Sequence, residues 1–199
     1  MLHSTGNKEL IIIGGPNGSG KTTLARELLK ENEYEYVSAD DIACELNPED
    51  PLASRLEAGK EFFKRLDRFA YDGRNLLIES TLSGKSLLNV IAKFQKELGY
   101  AVSIVFIFLD NEAICIERIQ TRVKKGGHPV PEKDVVRRFG RSIVNFWNEY
   151  RLFSDRWVLY YNTEDSFQEV AHHQKKEIYV YDEPLFVTFK EMAKHYGQK

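Results

Sequence analysis

Gly15, Gly20, Lys21 and Thr22 stand at the spacing G-x-x-x-x-G-K-[ST] inside LIIIGGPNGSGKTTLAREL, Leu10 to Leu28. That spacing is a phosphate-binding P-loop. Glycines let the backbone curl until several N–H groups point at one anion. The helix behind them adds unpaired N–H groups and the positive end of its dipole. Lys21 has the reach to meet β- and γ-phosphates, and a Thr22 hydroxyl suits Mg²⁺. The run Gly15, Pro16, Asn17, Gly18, Ser19, Gly20, Lys21, Thr22 and Thr23 is therefore expected to hold a nucleoside triphosphate. Four fixed positions arise by chance roughly one time in a hundred in a chain of this length. The apolar run before them and the amphipathic helix after them lower that figure.

A P-loop alone does not separate kinases from GTPases, motors or transporters. Carboxylates at neighbouring strand ends do better. Asp40 and Asp41 follow the short strand Tyr34–Ser38, at the carboxyl edge where α/β sheets place ligands. A phosphoryl acceptor hydroxyl needs a carboxylate to orient it and take its proton. The competing role is capping a helix that starts at Ile42; one aspartate of the pair can cap while the other works. Glu79 ends the strand NLLIE on the same edge, in IESTLSG, where it can hold substrate hydroxyls or the hydration shell of Mg²⁺. Asp110 ends FIFL and is formally Walker-B-like, but a helix follows at once, so capping explains it. Leu82-Ser83-Gly84 and Gly84-Lys85-Ser86 only mimic a transporter signature and a second P-loop.

Arg118 and Arg122 are one turn apart and project from one helix face. They lead into Lys124, Lys125 and the hinge Gly126-Gly127-His128, with Pro129 and Pro131 before a helix bearing Arg137, Arg138 and Arg141. Arginines on helices around a glycine hinge make a lid that closes over phosphates, neutralises their oxygens and excludes water. Spacing does not say which arginine serves the γ-phosphate. His172, His173 and His195 have no ligand spacing and read as surface residues.

The elements that must carry these residues alternate, apolar strand with amphipathic helix, which is the rhythm of a parallel sheet. Strands are expected at 9–14, 34–38, 75–79, 101–109 and 157–162, the run AVSIVFIFL being placed centrally. Helices are expected at about 20–31, 52–72, 111–124 and 184–196, with others around Leu87–Leu98 and from Pro131. Apolar stripes are Leu52, Leu56, Phe63, Leu66 and Ala70 in one helix, and Val136, Phe139, Ile143 and Phe146 in another. Phe167–His173 and Glu177–Tyr181 read as a hairpin.

With 199 residues, 42% hydrophobic and 29% charged, the composition is that of a globular chain. The fold class expected is α/β: a P-loop NTPase/kinase fold, mainly parallel sheet flanked by helices on both faces, with a helical lid and a C-terminal hairpin. Residues 1–199 read as a single domain, with the lid at about 111–150. A net charge of −2 argues against nucleic acid as the main partner. Cys44 and Cys115 read as reduced core thiols. No run approaches membrane-span length, and MLHSTGNKE has no apolar signal region, so the chain reads as cytoplasmic.

Taken together, GGPNGSGKTT at 14–23, SADDIA at 38–43, IESTLSG at 78–84 and RVKKGGHPVP followed by RRF at 122–139 resemble the zeta toxin family of P-loop small-molecule kinases. The resemblance covers roughly residues 9–145. It implies phosphorylation of a hydroxyl on a small acceptor, with ATP rather than GTP as donor and Mg²⁺ as cofactor. The acceptor in the best-known members is UDP-N-acetylglucosamine. It further implies Asp40 as the base, Glu79 and Thr81 as acceptor contacts, Thr22 as the metal ligand, and an antitoxin protein as a partner. Ser83 and Gly84 stand where these toxins usually carry an arginine, and their second lid arginine falls near Gly127-His128, leaving Arg122 and Arg118 as lid candidates. Other readings are an antibiotic or nucleoside phosphotransferase, and a nucleotide-binding switch without transferase activity.

Overall fold

The structure, a computed structural model, describes residues 8–127, 129–163 and 166–198. His128 of the expected hinge and most of the N-terminal segment lie outside the described residues.

The apolar run at the start of the chain forms β1 (Glu9–Gly14), buried throughout. Leu10 and Ile12 enter one apolar cluster, Ile11 and Ile13 another on the opposite face. A strand covered on both sides has no polar face, so its sequence reads as unbroken hydrophobicity rather than alternation. β4 (Ala101–Phe108) repeats the arrangement, with Ile104, Phe106 and Phe108 on one side and Val105 and Ile107 on the other.

β2 (Glu35–Val37), β3 (Leu76–Ser80), β5 (Arg156–Asn162), β6 (Phe167–Gln174) and β7 (Glu177–Val180) complete a seven-stranded sheet in the order β2-β3-β1-β4-β5-β6-β7. The pairings from β2 to β5 are parallel; β5–β6 and β6–β7 are antiparallel. This is the α/β P-loop arrangement expected, with the long apolar strand central and the hairpin at one edge. In register, Ile13 lies opposite Glu79 and Gly14 opposite Ser80, which brings the end of β3 beside the start of the glycine loop.

Helices cover the two faces unequally. α1 (Lys21–Glu31) lies over the smaller cluster through Ala25, Leu24 and Leu28. The larger cluster takes α2 (Ala39–Leu46), α3 (Arg55–Tyr71), α4 (Ser86–Lys96), α5 (Glu112–Lys124), α6 (Glu132–Asn145) and α8 (Glu183–Gly197). α6 runs into a π-helical turn, Phe146–Tyr150, and the short α7 (Arg151–Phe153). Widening the helix there buries both Phe146 and Tyr150. Phe146 stacks on Phe106 at 4.2 Å, and Phe189 of α8 meets both rings edgewise. Offset and edge contacts of this kind add roughly 0.5–1.5 kcal/mol per pair beyond area burial.

Five expectations need correcting. In α3 the buried face is Ala58, Phe62, Leu66 and Ala70, while Leu56 is 86% exposed. In α6 Val135 is buried and Val136 faces out. Neither aspartate at 40–41 is a cap: α2 starts at Ala39, and the Ser38 hydroxyl accepts from the Asp41 N–H at 3.3 Å. Asp110 does not cap α5 either; Asn111 does, accepting from the Ile114 N–H, and Asp110 accepts from the Tyr161 hydroxyl at 2.7 Å. His172 and His173 are also half-buried rather than surface residues, His172 bonded to Glu169 and His173 stacked on Trp157. Cys115 is buried and Cys44 only half-buried; neither forms a disulfide. No helix of the described residues is long and apolar enough to cross a membrane.

Candidate active site

β1 delivers the chain into the glycine loop, and each strained position there is a glycine. Gly15 has φ +143°, and a Cβ on it would lie 2.3 Å from the Ile107 carbonyl oxygen of β4. Gly20, at φ +97°, precedes α1 without side-chain capping, and no acidic residue occupies the first turn. The leading N–H groups and dipole of α1 are thus left facing the loop, an arrangement suited to an anion. α2 is the opposite case, capped by Ser38 and carrying Asp40 and Asp41 in its first turn.

Lys21 crosses back over the loop and donates to the carbonyls of Gly15 at 2.9 Å and Pro16 at 2.8 Å. Burial pulls its pKa below the ordinary 10.5, opposed by the charges of Glu79 and then Asp40. Ser19 is fully buried, and its hydroxyl has no partner among the described residues. Behind the loop, the Asn162 side chain of β5 donates to the Ser19 carbonyl at 2.7 Å. Sequence spacing gave no hint of that brace from 143 residues away.

Glu79 is where three elements meet. Its Oε2 accepts from the Thr22 hydroxyl of α1 at 2.9 Å, and its Oε1 accepts a short bond from the Tyr36 hydroxyl of β2. Tyr36 was not anticipated; burial first, then the bond to Glu79, pushes its pKa well above 10. Asp40 is exposed at the start of α2, within the electrostatic reach of both Lys21 and Arg138. Asp41 acts on Tyr36 and, together with Asp40, on Cys44. Thr81 follows β3, its hydroxyl 2.8 Å from that of Ser83.

The arginines divide. Arg138 of α6 reaches the loop itself, donating to Asn17 Oδ1 at 3.5 Å, with Asp134 behind it at 3.9 Å. Arg118 points elsewhere, donating to the Thr163 carbonyl at 3.3 Å. It lines a cavity of about 370 Å³ with Leu109, Asp110, Ile114, Tyr161 and Asn162, next to the loop braced by Asn162. Arg122, one turn on, is exposed, and its charge also acts on Lys21. The structure therefore brings together Lys21, Thr22, Asp40, Glu79 and Arg138, and sets Arg118 beside the adjoining cavity.

The residues fit a Mg²⁺-bound triphosphate on two observations. The buried, unpartnered Ser19 hydroxyl and the Cβ-free cradle at Gly15 suit phosphate oxygens. Thr22 and Glu79 offer the hard oxygen ligands that Mg²⁺ prefers, in the small number expected when phosphates supply the rest. Among the described residues no group of three or more His, Cys, Asp or Glu gathers as a separate metal site.

Comparison with known proteins agrees with this architecture. The family model described as an AAA domain matches residues 10–141. An uncharacterized protein of Haemophilus influenzae is 34% identical over 125 residues, 63% of this chain and 88% of that protein. A cytidylate kinase of Sulfurisphaera tokodaii is 35% identical over 104 residues, 48% of this chain and 57% of that enzyme. The match thus spans little more than half of that kinase. Among solved structures, one from the PezAT chromosomal toxin-antitoxin system of Streptococcus pneumoniae has a TM-score of 0.62 at 18% identity, covering 99% of this chain and 90% of that one. The AvrRxo1-ORF1:-ORF2 complex with ATP gives 0.68 at 18% identity, covering 94% of this chain and 64% of that one. At such identities the likeness is one of fold alone, the α/β P-loop arrangement described above.

Proposed function

The chain belongs to the AAA domain family, and from that premise we propose that it is an ATP-dependent small-molecule kinase of the zeta toxin type. The observation that carries the reading is the meeting of Thr22, Tyr36 and Glu79 at the strand ends, with Asp40 in the field of Lys21 and Arg138. A switch keeps a carboxylate at its phosphate loop for Mg²⁺; what a phosphotransferase adds is a second one to take the acceptor proton, the part assigned here to Asp40.

In this reading Gly15 to Thr23 cradle the phosphates of ATP, and Lys21 leaves its two carbonyl partners for phosphate oxygens. Thr22, steadied by Glu79, holds Mg²⁺, which when bound offsets charge on the phosphates. Glu79 and Thr81 hold the acceptor, and Asp40 takes the proton of its hydroxyl. The hydroxyl oxygen bonds to the γ-phosphorus as the bond to the β-phosphate oxygen breaks, releasing ADP. Arg138 neutralises charge on the phosphoryl oxygens in the transition state. Arg118 flanks the nucleoside in the adjoining cavity, and Arg122 is the outer lid arginine. α5 and α6 form the lid of a single kinase domain spanning 1–199.

UDP-N-acetylglucosamine is the acceptor to test first, on the resemblance of the four motifs. A nucleotide acceptor is a second reading, favoured by the cytidylate kinase relative. An antitoxin partner belongs to the same proposal, since a protein of this fold comes from a toxin-antitoxin system. The test is incubation with γ-labelled ATP and Mg²⁺, in parallel with UDP-N-acetylglucosamine, CMP and a bacterial metabolite extract. A labelled small-molecule product supports the kinase, and its identity chooses the acceptor. Hydrolysis to phosphate alone in all three rejects it.

A further inference from the structure

Asp134, Arg138, Ser142 and Asn145 fall along one face of α6, and each touches a different part of the site. Asp134 takes Arg55 of α3 at 3.6 Å, and Arg138 reaches Asn17 of the glycine loop at 3.5 Å. The Ser142 hydroxyl donates a short bond to the Thr81 carbonyl, and the Asn145 amide donates to the Leu82 carbonyl at 2.8 Å. In the π-helical turn beyond, the Tyr150 hydroxyl donates to the Gly84 carbonyl at 2.6 Å. The loop after β3 is thus held at three carbonyls by one continuous helical element.

This loop has a reason to need holding. Leu82 sits at φ +54°, in the left-handed region that a bulky side chain rarely adopts. Its side chain is 1% exposed and packs over Gly14, where a Cβ would lie 2.5 Å from Leu82 Cδ1. The N–H of Leu82 turns to the Ser80 hydroxyl at 3.1 Å. Local preference would relax this turn, and the contacts from α6 oppose that. π-helical turns gather at functional sites, and the turn here aims Tyr150 at Gly84.

We propose that Ser142, Asn145 and Tyr150 are positioning residues: α6 sets the Thr81–Gly84 loop for the acceptor and couples that setting to the occupied P-loop through Arg138. The proposal rests on the reading of the P-loop as the ATP site and Thr81 as an acceptor contact. None of the three touches a phosphate or a reacting atom. Nucleotide drawn onto Arg138 steadies α6, and the helical element steadies the loop about one, two and three turns along, at Ser142, Asn145 and Tyr150, so that donor binding prepares the acceptor side.

Hydrogen–deuterium exchange on the full chain tests this without knowing the acceptor. Wild type, Ser142→Ala, Asn145→Asp and Tyr150→Phe are each compared with and without Mg²⁺ and a non-hydrolysable ATP analogue. Asn145→Asp keeps the shape and removes the donor; Ser142→Thr keeps the hydroxyl and serves as the rescue. Without nucleotide, each donor-removing variant should exchange residues 80–86 roughly fivefold faster than wild type, the weight of one hydrogen bond. With the analogue, wild type should slow exchange at both 15–23 and 80–86. The variants should keep the slowing at 15–23 and lose it at 80–86, and Ser142→Thr should restore it. Unchanged exchange of 80–86 in all three variants overturns the clamp. Slowing at 15–23 but never at 80–86 in wild type overturns the coupling. Absence of slowing at 15–23 in wild type overturns the ATP reading and the coupling with it, while the nucleotide-free comparison still decides the clamp.

Discussion

Glu79→Gln exchanges one oxygen for an amide nitrogen and removes one charge at the point where Thr22 and Tyr36 meet. Both hydroxyls donate to the carboxylate, and a Gln side chain has a single acceptor oxygen. One hydroxyl must therefore turn away or face an N–H. A hydrogen bond to a charged group is worth about 1.5–3 kcal/mol, and at about 1.4 kcal/mol per tenfold the transfer rate should fall roughly ten- to a hundredfold. A second effect goes through Lys21. Burial lowers its pKa below 10.5, and Glu79 is the largest of the charges that raise it. Without Glu79, burial acts less opposed, and Lys21 releases its proton at lower pH. Since the ammonium is the form that attracts phosphate, the alkaline limb of the rate profile should shift toward neutral. The assay is transfer of label from ATP, measured for both proteins from neutral to about pH 10, with nucleotide binding followed in parallel. A rate within roughly twofold of wild type and an unmoved alkaline limb would refute the placement of Glu79 as anchor of Thr22 and partner of Lys21.

Arg138→Gln should lower the transfer rate by roughly a hundredfold or more, as removal of a charge aimed at the developing phosphoryl charge does, whereas Arg122→Gln should change it only severalfold; parallel single-turnover measurements rank them. Gly14→Ala places a methyl 2.5 Å from Leu82 Cδ1 and 3.1 Å from Phe106, so urea denaturation should report about 1–3 kcal/mol of lost stability. For alkaline stability, the folded pKa of Tyr36 is raised above 10, by burial first and Glu79 second. Folding thus retains a proton that the unfolded chain releases. Its contribution is complete below pH 10 and is lost as pH rises above that value. The urea midpoint of wild type should fall over that range, and that of Tyr36→Phe should fall less steeply.

Where the sequence was readable, the determinants were local or two-faced. β1 and β4 are buried on both sides, so their runs of Ile, Val, Leu and Phe stand out without any knowledge of their neighbours. The glycine loop was legible because its strained positions demand glycine within a few residues of each other. Helix phase was less so. The stripes read through Leu56 and Val136 followed apolar type alone, but the buried faces took Ala58 and Phe62 in α3 and Val135 in α6. Capping slipped by two residues from Asp40 to Ser38 and by one from Asp110 to Asn111, since Ser and Asn serve equally well by type. The pairings made across the fold left no local trace. Arg138 meets Asn17 across 121 residues, and Tyr36 meets Glu79 across 43. Only a folded sheet edge brings such pairs together, and the π-helical turn that aims Tyr150 has no spacing signature of its own.

The most direct test of the kinase account is a paired measurement on Asp40→Asn: transfer of the γ-phosphoryl group in a single turnover, and affinity for ATP. Asp40 is exposed and contributes only the second-largest raising charge at Lys21, so its loss should leave ATP affinity within a fewfold of wild type. Transfer should fall by roughly a hundredfold or more, the scale of a lost general base. Transfer at close to the wild-type rate, with ATP still bound, would contradict it.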